Sequence, residues 1–474
     1  MQLKNISRAL LLAIIGFSAC TKEDLFEDPL DAISSATAFS SPERIEKAAI
    51  GMYSALQNPN WGSGRNLIYA DIQGLDVNPN PYFNNVGYFN QMRPNDGTVT
   101  SAWTAAYNTI YTANLFRKNL LPVQSTIPTE KADQYIGEST FIRAYNYFYL
   151  VNFWGQTYTD PKGPENNLGV PLVLEAAEDP FGATNLISRS TVKEVYDQIE
   201  ADLLDAEAKL PVSYADLNST ISRATKGAAR GLLMRMYLYQ GNWVKAQEYA
   251  DLLINSGMYK LNATPEITYR NYLTNERIFS VAFSGSNNPD RNNALSAHYS
   301  PTVRGDLSVS NAFLSLMDTA VDLRYKNLVM KTKQGANNVF WTTKYTNFAD
   351  WAPVLRYAEV LLVKAEAMAR LANPAGPADP LAVELLNQIR TRSKAAPVNP
   401  ATNQDLIADI LRERRIELAF EGQAYFDLQR THQDIPPHAS ILSPIPYGTT
   451  YRVWPIPQRE INIMTTGLEQ NPGY

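Results

Sequence analysis

The apolar residues between positions 225 and 257 recur three or four positions apart, which is the spacing of one face of an α-helix. The residues that carry this pattern are Leu233, Tyr237, Ala246, Ala250 and Leu253. Gly241 and Asn242 interrupt the pattern, and both residue types are typical of turns. The segment therefore predicts two helices joined by a tight turn.

Small residues on the second helix would let it approach the first closely, as in tetratricopeptide helix pairs. One such pair cannot bury its apolar face alone, so further pairs are expected. A second pair is predicted from a helix that opens at Pro353, a turn-rich break over residues 373–380 and a return helix over residues 381–392. The apolar stripe of its first helix consists of Leu355, Ala358, Leu362 and Ala365.

Further helices are predicted at residues 42–56, 103–120, 130–153, 191–210 and 404–430. We therefore predict an all-α fold in which tetratricopeptide-like helix pairs form a solenoid scaffold. Residues 58–100 and 265–352 break this pattern, because they are rich in Asn, Gly, Pro and aromatic residues. Loops of this length are usually functional or disordered, and the aromatic residues favour function. We expect both segments to be loop-rich, ligand-binding insertions.

The N-terminus has the order of an export signal. Lys4 and Arg8 precede an apolar run over residues 9–17, which is followed by small residues and then by Cys20. The run is too short to span a membrane. We predict a signal peptide over residues 1–19 and a lipidated, flexible tether over residues 20–40. Cys20 is the only cysteine, so it cannot form an internal disulfide, and a free thiol is the alternative to acylation.

Charge and composition exclude several functions. The net charge of the 474 residues is -5, and Lys and Arg are interleaved with acids, which argues against nucleic acid as a partner. His298, His432 and His438 are the only histidines, and they lack the spacing of a metal site. The chain has no Gly-x-Ser-x-Gly elbow. We therefore predict a protein that is not an enzyme and needs no cofactor, with a structural calcium ion in a loop as an open alternative.

Glu413, Glu417 and Glu421 fall on one helix face at a spacing that would suit the carboxylate pair of a glycosidase. A general acid needs a raised pKa, whereas nearby arginines would keep these groups ionised. The interleaved arginines are Arg412, Arg414 and Arg415. We therefore interpret the cluster as an ion-pair scaffold, with Glu366 as a further partner. A glycoside hydrolase that uses the cluster remains the enzymatic alternative.

The chain has 27 tyrosines and 7 tryptophans, and many of them lie in the two loop-rich segments. Ligand sites combine aromatic walls with a few polar anchors. The candidate ligand-binding residues are Trp61, Asp76, Asn78, Tyr82, Phe83, Tyr88, Asn90, Arg93, Tyr299, Arg304, Trp341 and Tyr345, with Phe89, Asn338 and Trp351 as neighbours of the same kind. For any single ring, packing within its own loop is the more common role.

Ordered motifs along nearly the whole chain resemble the SusD/RagB family of Bacteroidetes outer-membrane lipoproteins. They are residues 143–145 (RAY), 150–155 (LVNFWG), 169–173 (GVPLV), 189–192 (RSTV), 357–360 (YAEV), 365–367 (AEA), 386–392 (LNQIRTR), 412–422 (RERRIELAFEG), 455–457 (PIP) and 471–474 (NPGY). Lys22, Glu23 and Asp24, just after Cys20, also resemble the surface-export signal of these lipoproteins. The resemblance divides the chain into an N-terminal part over residues 41–264 and a C-terminal part over residues 265–474, which together form one globular unit.

The resemblance implies a glycan-binding protein that faces the cell surface and is held on outer-membrane lipid through Cys20. Such a protein captures an oligo- or polysaccharide and passes it to a partner TonB-dependent outer-membrane transporter of the SusC type. A peptide ligand for the same kind of transporter lid is an alternative. A helical-repeat adaptor without a small ligand is another.

Overall fold

The computed structural model describes residues 34–74, 76–177, 187–437, 443–463 and 468–474. The predicted signal peptide, Cys20 and His438 lie outside these residues. The chain divides after Ala48 into two compact units. In the first, Ser34 caps a short helix by accepting a hydrogen bond from the backbone N–H of Thr37. The second, residues 49–474, contains the predicted helix pairs and both loop-rich segments.

The described chain is predominantly helical, which confirms the predicted class. Its α-helices are α1 (Ser35–Ala38), α2 (Pro42–Leu56), α3 (Arg65–Gly74), α4 (Asn84–Gly87), α5 (Gly97–Leu120), α6 (Thr129–Trp154), α7 (Val192–Lys209), α8 (Leu217–Ser222), α9 (Lys226–Gln240), α10 (Trp243–Asn255), α11 (Ile267–Arg270), α12 (Asp290–Asn293), α13 (Leu295–Tyr299), α14 (Asn311–Leu314), α15 (Leu323–Leu328), α16 (Tyr357–Leu371), α17 (Pro380–Arg392), α18 (Asn403–Glu417), α19 (Ala424–Arg430) and α20 (Gln458–Ile463). Short 3₁₀ turns lie at Pro81–Phe83, Phe89–Gln91, Leu121–Thr126 and Thr450–Arg452. Within the described ranges, no helix is both long and apolar enough to cross a membrane.

The strands are β1 (Val77–Pro79), β2 (Arg277–Val281), β3 (Leu307–Val309), β4 (Val329–Gln334), β5 (Asn337–Thr342) and β6 (Ala352–Arg356). Sequence periodicity did not predict these strands. β1 and β3 have only three residues each, and β2 and β6 are buried throughout, so none of these four alternates clearly between apolar and polar positions. Four of them form an antiparallel sheet in the order β1-β3-β5-β4, and β2 pairs with β6. Val77 lies opposite Val309, so the larger sheet joins the two loop-rich segments into one surface.

The first predicted helix pair is confirmed as α9 and α10. The Thr225 side chain caps α9, and Asn242 caps α10 by accepting from the backbone N–H of Lys245. Gly241 has a φ of 70°, in the left-handed region that a residue without Cβ adopts at little cost. The tight turn therefore follows directly from the Gly241-Asn242 pair.

The second pair is confirmed as α16 and α17, but its first helix begins later than predicted. Pro353 and Leu355 lie in β6, whose five residues are all buried and pair with β2. Helix α16 starts only at Tyr357. Ala358, Leu362 and Ala365 then pack against α17 and α18 as the stripe predicts.

The predicted last helix is two helices. Helix α18 ends at Glu417, α19 begins at Ala424, and between them Phe420 and Gly422 have φ values of 63° and 72°. A Cβ at position 422 would lie 2.8 Å from Leu67 Cα in α3. The Gly422 N–H also donates to Asp71 Oδ1 at 2.9 Å. The helix therefore breaks where the chain passes against the backbone of α3.

A charged layer lies in the core where α18 ends. We use this name for Glu413, Glu417, Glu421 and the cations that contact them: Arg324, Lys344, Arg356, Arg390 and Arg392. Glu417 pairs with Arg392 at 2.5 Å and with Arg324 at 3.1 Å. Glu421 pairs with Arg356 at 2.7 Å and with Lys344 at 2.8 Å. The ion-pair interpretation of the glutamates therefore fits the structure.

The partners of these glutamates differ from those predicted. Arg414 pairs with Asp427 at 3.1 Å, Arg415 pairs with Asp76 at 2.8 Å, and Arg412 donates to the Leu316 carbonyl. Residues that neighbour each other along a helix point in different directions, so these arginines cannot reach the glutamates beside them. Glu366 pairs chiefly with Arg430, at 2.7 Å, and reaches Arg414 only at 4.0 Å.

The carboxylates of Glu417 and Glu421 are ionised. Burial would raise the pKa of Glu417, but Arg392, Arg356 and Arg324 outweigh it and hold the pKa well below its usual range. For Glu421, Arg356 and Lys344 likewise overcome burial and lower the pKa to about 2. Removing one partner from a buried pair leaves the other as an uncompensated charge, which costs about 3–5 kcal/mol.

We expect Glu417→Gln to lower the free energy of unfolding by about 3–5 kcal/mol, because three arginines lose their shared anion. Denaturant titration followed by circular dichroism measures this change. The control is Asp197→Asn, which breaks an exposed pair with Lys193 and should have little effect on the free energy of unfolding. Equal, small effects of both substitutions would contradict the structural role of the layer.

We also expect the free energy of unfolding to fall as the pH is lowered from about 4.5 to about 2. The folded-state pKa values of Glu421 and Glu366 are both lowered to about 2, so their ion pairs stabilise the protein above the unfolded pKa and are lost as these groups protonate. Chemical denaturation across this pH range measures the slope. Glu421→Gln should flatten it, and an unchanged slope would contradict the assignment.

Candidate ligand-binding site

The two loop-rich segments meet beside an exposed tyrosine. Strand β1 pairs with β3, and beyond the strands the Asn80 N–H donates to the Asp306 carbonyl at 2.7 Å. The Asn80 side chain accepts from the Tyr82 N–H at 2.9 Å and so starts the 3₁₀ turn that follows β1. Phe83 is buried, whereas 53% of Tyr82 is exposed. The turn therefore fixes the ring of Phe83 in the core and leaves the ring of Tyr82 exposed to solvent.

Polar groups from both segments surround this ring. We call Arg65, Asn80, Tyr82, Asn293 and Arg304 the Tyr82 cluster. The Arg304 guanidinium carbon lies 4.5 Å from the centroid of the tyrosine ring, and that of Arg65 lies at 5.6 Å. Arg65 also donates from Nη2 to Asn293 Oδ1 at 3.2 Å and to the Tyr82 hydroxyl at 3.4 Å. The cluster thus combines an aromatic surface with cationic and amide groups.

The buried residues Asp306 and His298 lie beneath the cluster, and Asp306 contacts its member Arg304 directly. Asp306 binds Arg304 Nε and His298 Nδ1, each at 2.7 Å. Burial would raise the pKa of Asp306, but its hydrogen bonds to His298, Arg304 and Asn80 lower it to about 2. Burial lowers the pKa of His298, so this ring is uncharged at neutral pH. Asp306 therefore neutralises Arg304.

A polar groove of about 390 Å³ adjoins the cluster and shares Asn293 with it. Its hydrogen-bonding side chains include Gln57, Asn58, Asn287, Asn288, Asp290 and Asn293. Side-chain amides can both donate and accept hydrogen bonds, as each hydroxyl of a sugar also does. The groove and the half-exposed ring together offer the two kinds of contact that sugar recognition uses.

Only part of the predicted residue set reaches the surface. Tyr82 and Arg304 come together in the cluster, Arg93 is exposed, and Asn78 and Tyr88 are half-buried. The side chain of Asn90 lies outside the part of the chain that the structure describes. The cluster therefore rests on two of the predicted residues.

The other candidate residues, apart from the exposed Asn338, are buried. Trp61 donates to Asn146 Oδ1 at 3.0 Å and packs against Phe153 and Trp154. The remaining buried members are Asp76, Phe83, Phe89, Tyr299, Trp341, Tyr345 and Trp351. The tyrosines and tryptophans among them form hydrogen bonds within the protein. Tyr299 donates to Asp71 at 2.5 Å, and Tyr345 donates to the Phe420 carbonyl at 2.7 Å. Buried aromatic residues with hydrogen-bonding tips commonly find such partners.

Sequence reasoning missed several members of the site. Arg65 and Asn293 lie on helices that the pattern did not separate from the loops. Asn80 precedes Pro81, and an Asn-Pro pair is a turn signal that could have identified Tyr82 as the tip of a turn. No local signal connects Arg65 with Asn293, because 228 positions separate them in the chain.

The glutamate cluster does not have the properties of a hydrolase site. Glu413 is fully buried, and Glu417 and Glu421 are nearly so. The pKa values of Glu417 and Glu421 are lowered, whereas a general acid needs a raised one. Among the described residues, no three His, Cys, Asp or Glu side chains converge as they would around a metal ion.

Comparison with known proteins gives a consistent result along the chain. A family profile described as "Starch-binding associating with outer membrane" matches residues 26–238, and the SusD family profile matches residues 279–474. The chain is 26% identical to SusD-like protein P38 of Formosa agariphila, with 99% of each sequence covered.

Solved structures show the same fold. A SusD superfamily protein from Bacteroides fragilis is 28% identical with a TM-score of 0.78, and the match covers 90% of this chain and 98% of that one. A second, from Bacteroides vulgatus, is 27% identical with a TM-score of 0.79, covering 92% and 99%. With profiles matching most of its length and structures of the same fold, this chain belongs to the SusD/RagB family.

Proposed function

We propose that this protein is a surface-exposed, lipid-anchored glycan-binding protein that captures an oligo- or polysaccharide for uptake. The observation that carries the proposal is the half-exposed ring of Tyr82, which has two guanidinium groups within 5.6 Å of its centroid and lies near an amide-lined groove. The description of the matching family profile as starch-binding supports the same class of ligand.

Capture at this site needs no chemical step. A sugar ring can lie against Tyr82 with its C–H groups, while the side-chain amides of the groove bind its hydroxyls. Asn80 and Phe83 hold Tyr82 in position without covering it. Little conformational entropy is therefore lost when a ligand binds. A few such contacts give a modest affinity, and a ligand held in this way can be released to a transporter.

The proposal includes a membrane anchor and a partner. The anchor is the acylated Cys20, at the start of a tether over residues 20–40. The partner is a TonB-dependent outer-membrane transporter of the SusC type, to which the protein delivers its ligand. The description of the family profile as associating with the outer membrane supports this location.

Two alternatives fit the site less well. A hydrolase would need an accessible acid with a raised pKa, which Glu417 and Glu421 do not provide. A peptide that added a strand beside β1 would meet Pro79, which has no N–H to donate. Side-chain amides and an exposed ring favour a glycan over a peptide backbone.

We expect Tyr82→Ala to weaken glycan binding by about tenfold or more, because the ring supplies the main apolar contact. Isothermal titration of the purified protein against a panel of polysaccharides measures this effect. Tyr111→Ala is the matched control, because Tyr111 is 42% exposed but lies on α5, outside the cluster. It should leave affinity unchanged.

Two results of this titration would contradict the proposal. Failure of the unaltered protein to bind any glycan would remove its basis. Competition between peptides and glycans that also depends on Tyr82 would favour the peptide-binding alternative.

We expect Cys20→Ser to abolish incorporation of labelled fatty acid and to release the protein from the outer-membrane fraction, because the acyl chains supply the membrane affinity. Detergent extraction of the unaltered protein should co-purify a TonB-dependent transporter, identified by mass spectrometry. Continued labelling of the serine variant would contradict the anchor. Recovery of the extracted protein without a transporter would contradict the partnership.

A further inference from the structure

Arg65 is a buried guanidinium without an acidic partner. It is 6% exposed, and no carboxylate oxygen of the described residues forms an ion pair with it. Its Nη2 donates to three neutral acceptors, the Tyr82 hydroxyl, the Asn292 carbonyl and Asn293 Oδ1, at 3.2–3.4 Å. These distances are at or beyond the long end of the usual range for a hydrogen bond. Its Nε is enclosed and has no acceptor at all.

Arg143, Arg235 and Arg189 are better satisfied than Arg65, although Arg452, which is 1% exposed, also has no acid among the described residues and leaves Nε and Nη2 without an acceptor there. Arg143 binds both oxygens of Asp202, at 2.7 and 2.8 Å, and Arg235 binds both oxygens of Glu359. Arg189 has no acid either, but it donates to four carbonyls and to the Asn471 side chain. A buried charge is costly unless it is paired or fully hydrogen-bonded, so the environment of Arg65 lacks an anion.

An anion can reach Arg65 through its terminal nitrogen Nη1. The Tyr69 hydroxyl is a further neutral partner of this guanidinium. Arg65 Nη1, unlike Nε, is not fully enclosed. The guanidinium carbons of Arg65 and Arg304 both lie within 5.6 Å of the centroid of the Tyr82 ring. Asp306 balances Arg304, and His298 is uncharged, so one positive charge remains at the ring.

The nearest acid along the groove does not cancel this charge. Asp290 lines the groove, and its Oδ1 accepts from the backbone N–H of Asn292 at 2.7 Å. It forms no ion pair with Arg65 in the described structure. An incoming anion would therefore meet the Arg65 cation beside a half-exposed aromatic ring.

We infer that the Tyr82 cluster selects acidic saccharides, with a sugar ring against Tyr82 and its carboxylate or sulfate group bound by Arg65. This inference rests on the proposed function and names its ligand class. The N–H groups of Arg65 Nη1 can donate to an oxygen of either anion, and such charge-assisted hydrogen bonds are about twice as strong as neutral ones. A neutral glycan would leave Arg65 without its counter-charge.

The test compares saccharides that differ only in charge. Oligogalacturonate is titrated beside the same oligomer after reduction of its carboxyl groups, and a sulfated galactan oligosaccharide beside its desulfated form. We expect at least one acidic member to bind about tenfold or more tightly than its neutral counterpart. The difference should shrink as sodium chloride is added. The two pairs distinguish a uronate from a sulfate ester.

Three variants connect the preference to the cluster. Arg65→Gln should bring the acidic and neutral members to similar affinity. Arg304→Gln leaves Asp306 unbalanced near the ring and should also reduce the preference, which provides a second test should Arg65→Gln fold poorly. Arg291→Gln is the control, because Arg291 is exposed on α12 and outside the cluster. It should preserve the preference, and thermal melts confirm that each variant is folded.

Each outcome has a distinct meaning. Equal affinity for the acidic and neutral members, or a preference that persists in both Arg65→Gln and Arg304→Gln, overturns the inference but leaves glycan binding intact. No binding of any saccharide overturns the proposed function as well. Tyr82-dependent binding of oligoglutamate in place of the saccharides would show that the anion belongs to a peptide, and it would also overturn the inference.

Discussion

The positions of the two loop-rich segments depend on the buried ion pairs of α18 and the turn that follows it. Glu413, Glu417 and Glu421 contribute the anions of the charged layer. Arg324 and Lys344 reach them from the loop-rich segment of residues 265–352, and Arg356 reaches them from β6, which pairs with β2 of that segment. Because a buried ion without its partner is costly, this segment can take few other positions against the helices. The helical core therefore determines the path of a segment that has little regular structure of its own.

The same helix also fixes the first loop-rich segment. Arg415 points away from the glutamates and pairs with the fully buried Asp76, immediately before β1. Strand β1 then pairs with β3, so the two segments held by opposite faces of α18 meet at the Asn80–Asp306 contacts. The exposed ring lies two residues beyond this junction. Its place on the surface thus follows from ion pairs in the interior.

Local patterns predicted the helices well, because helical periodicity and caps are properties of neighbouring residues. Gly241, Asn242 and Thr225 act as the sequence indicates. The break at Gly422 could not be predicted in the same way, since it depends on the approach of Leu67 from a distant helix. The glutamate partners and the Arg65–Asn293 contact were missed for the same reason. Composition does not reveal which aromatic rings are buried and which are exposed, so most of the candidate binding rings proved to be core residues. Trp61, for example, packs in the core beside Trp154.

Tyr82 and Phe83 are adjacent in the chain but have different roles. Phe83 is 2% exposed and anchors the turn, whereas Tyr82 contributes little to the packed core. Substitutions at such exposed positions usually change stability by no more than about 0.5 kcal/mol. A substitution at position 82 can therefore change the surface of the proposed ligand site while Phe83 preserves the shape of the turn. The proposed site can in this way change its ligand without loss of the fold.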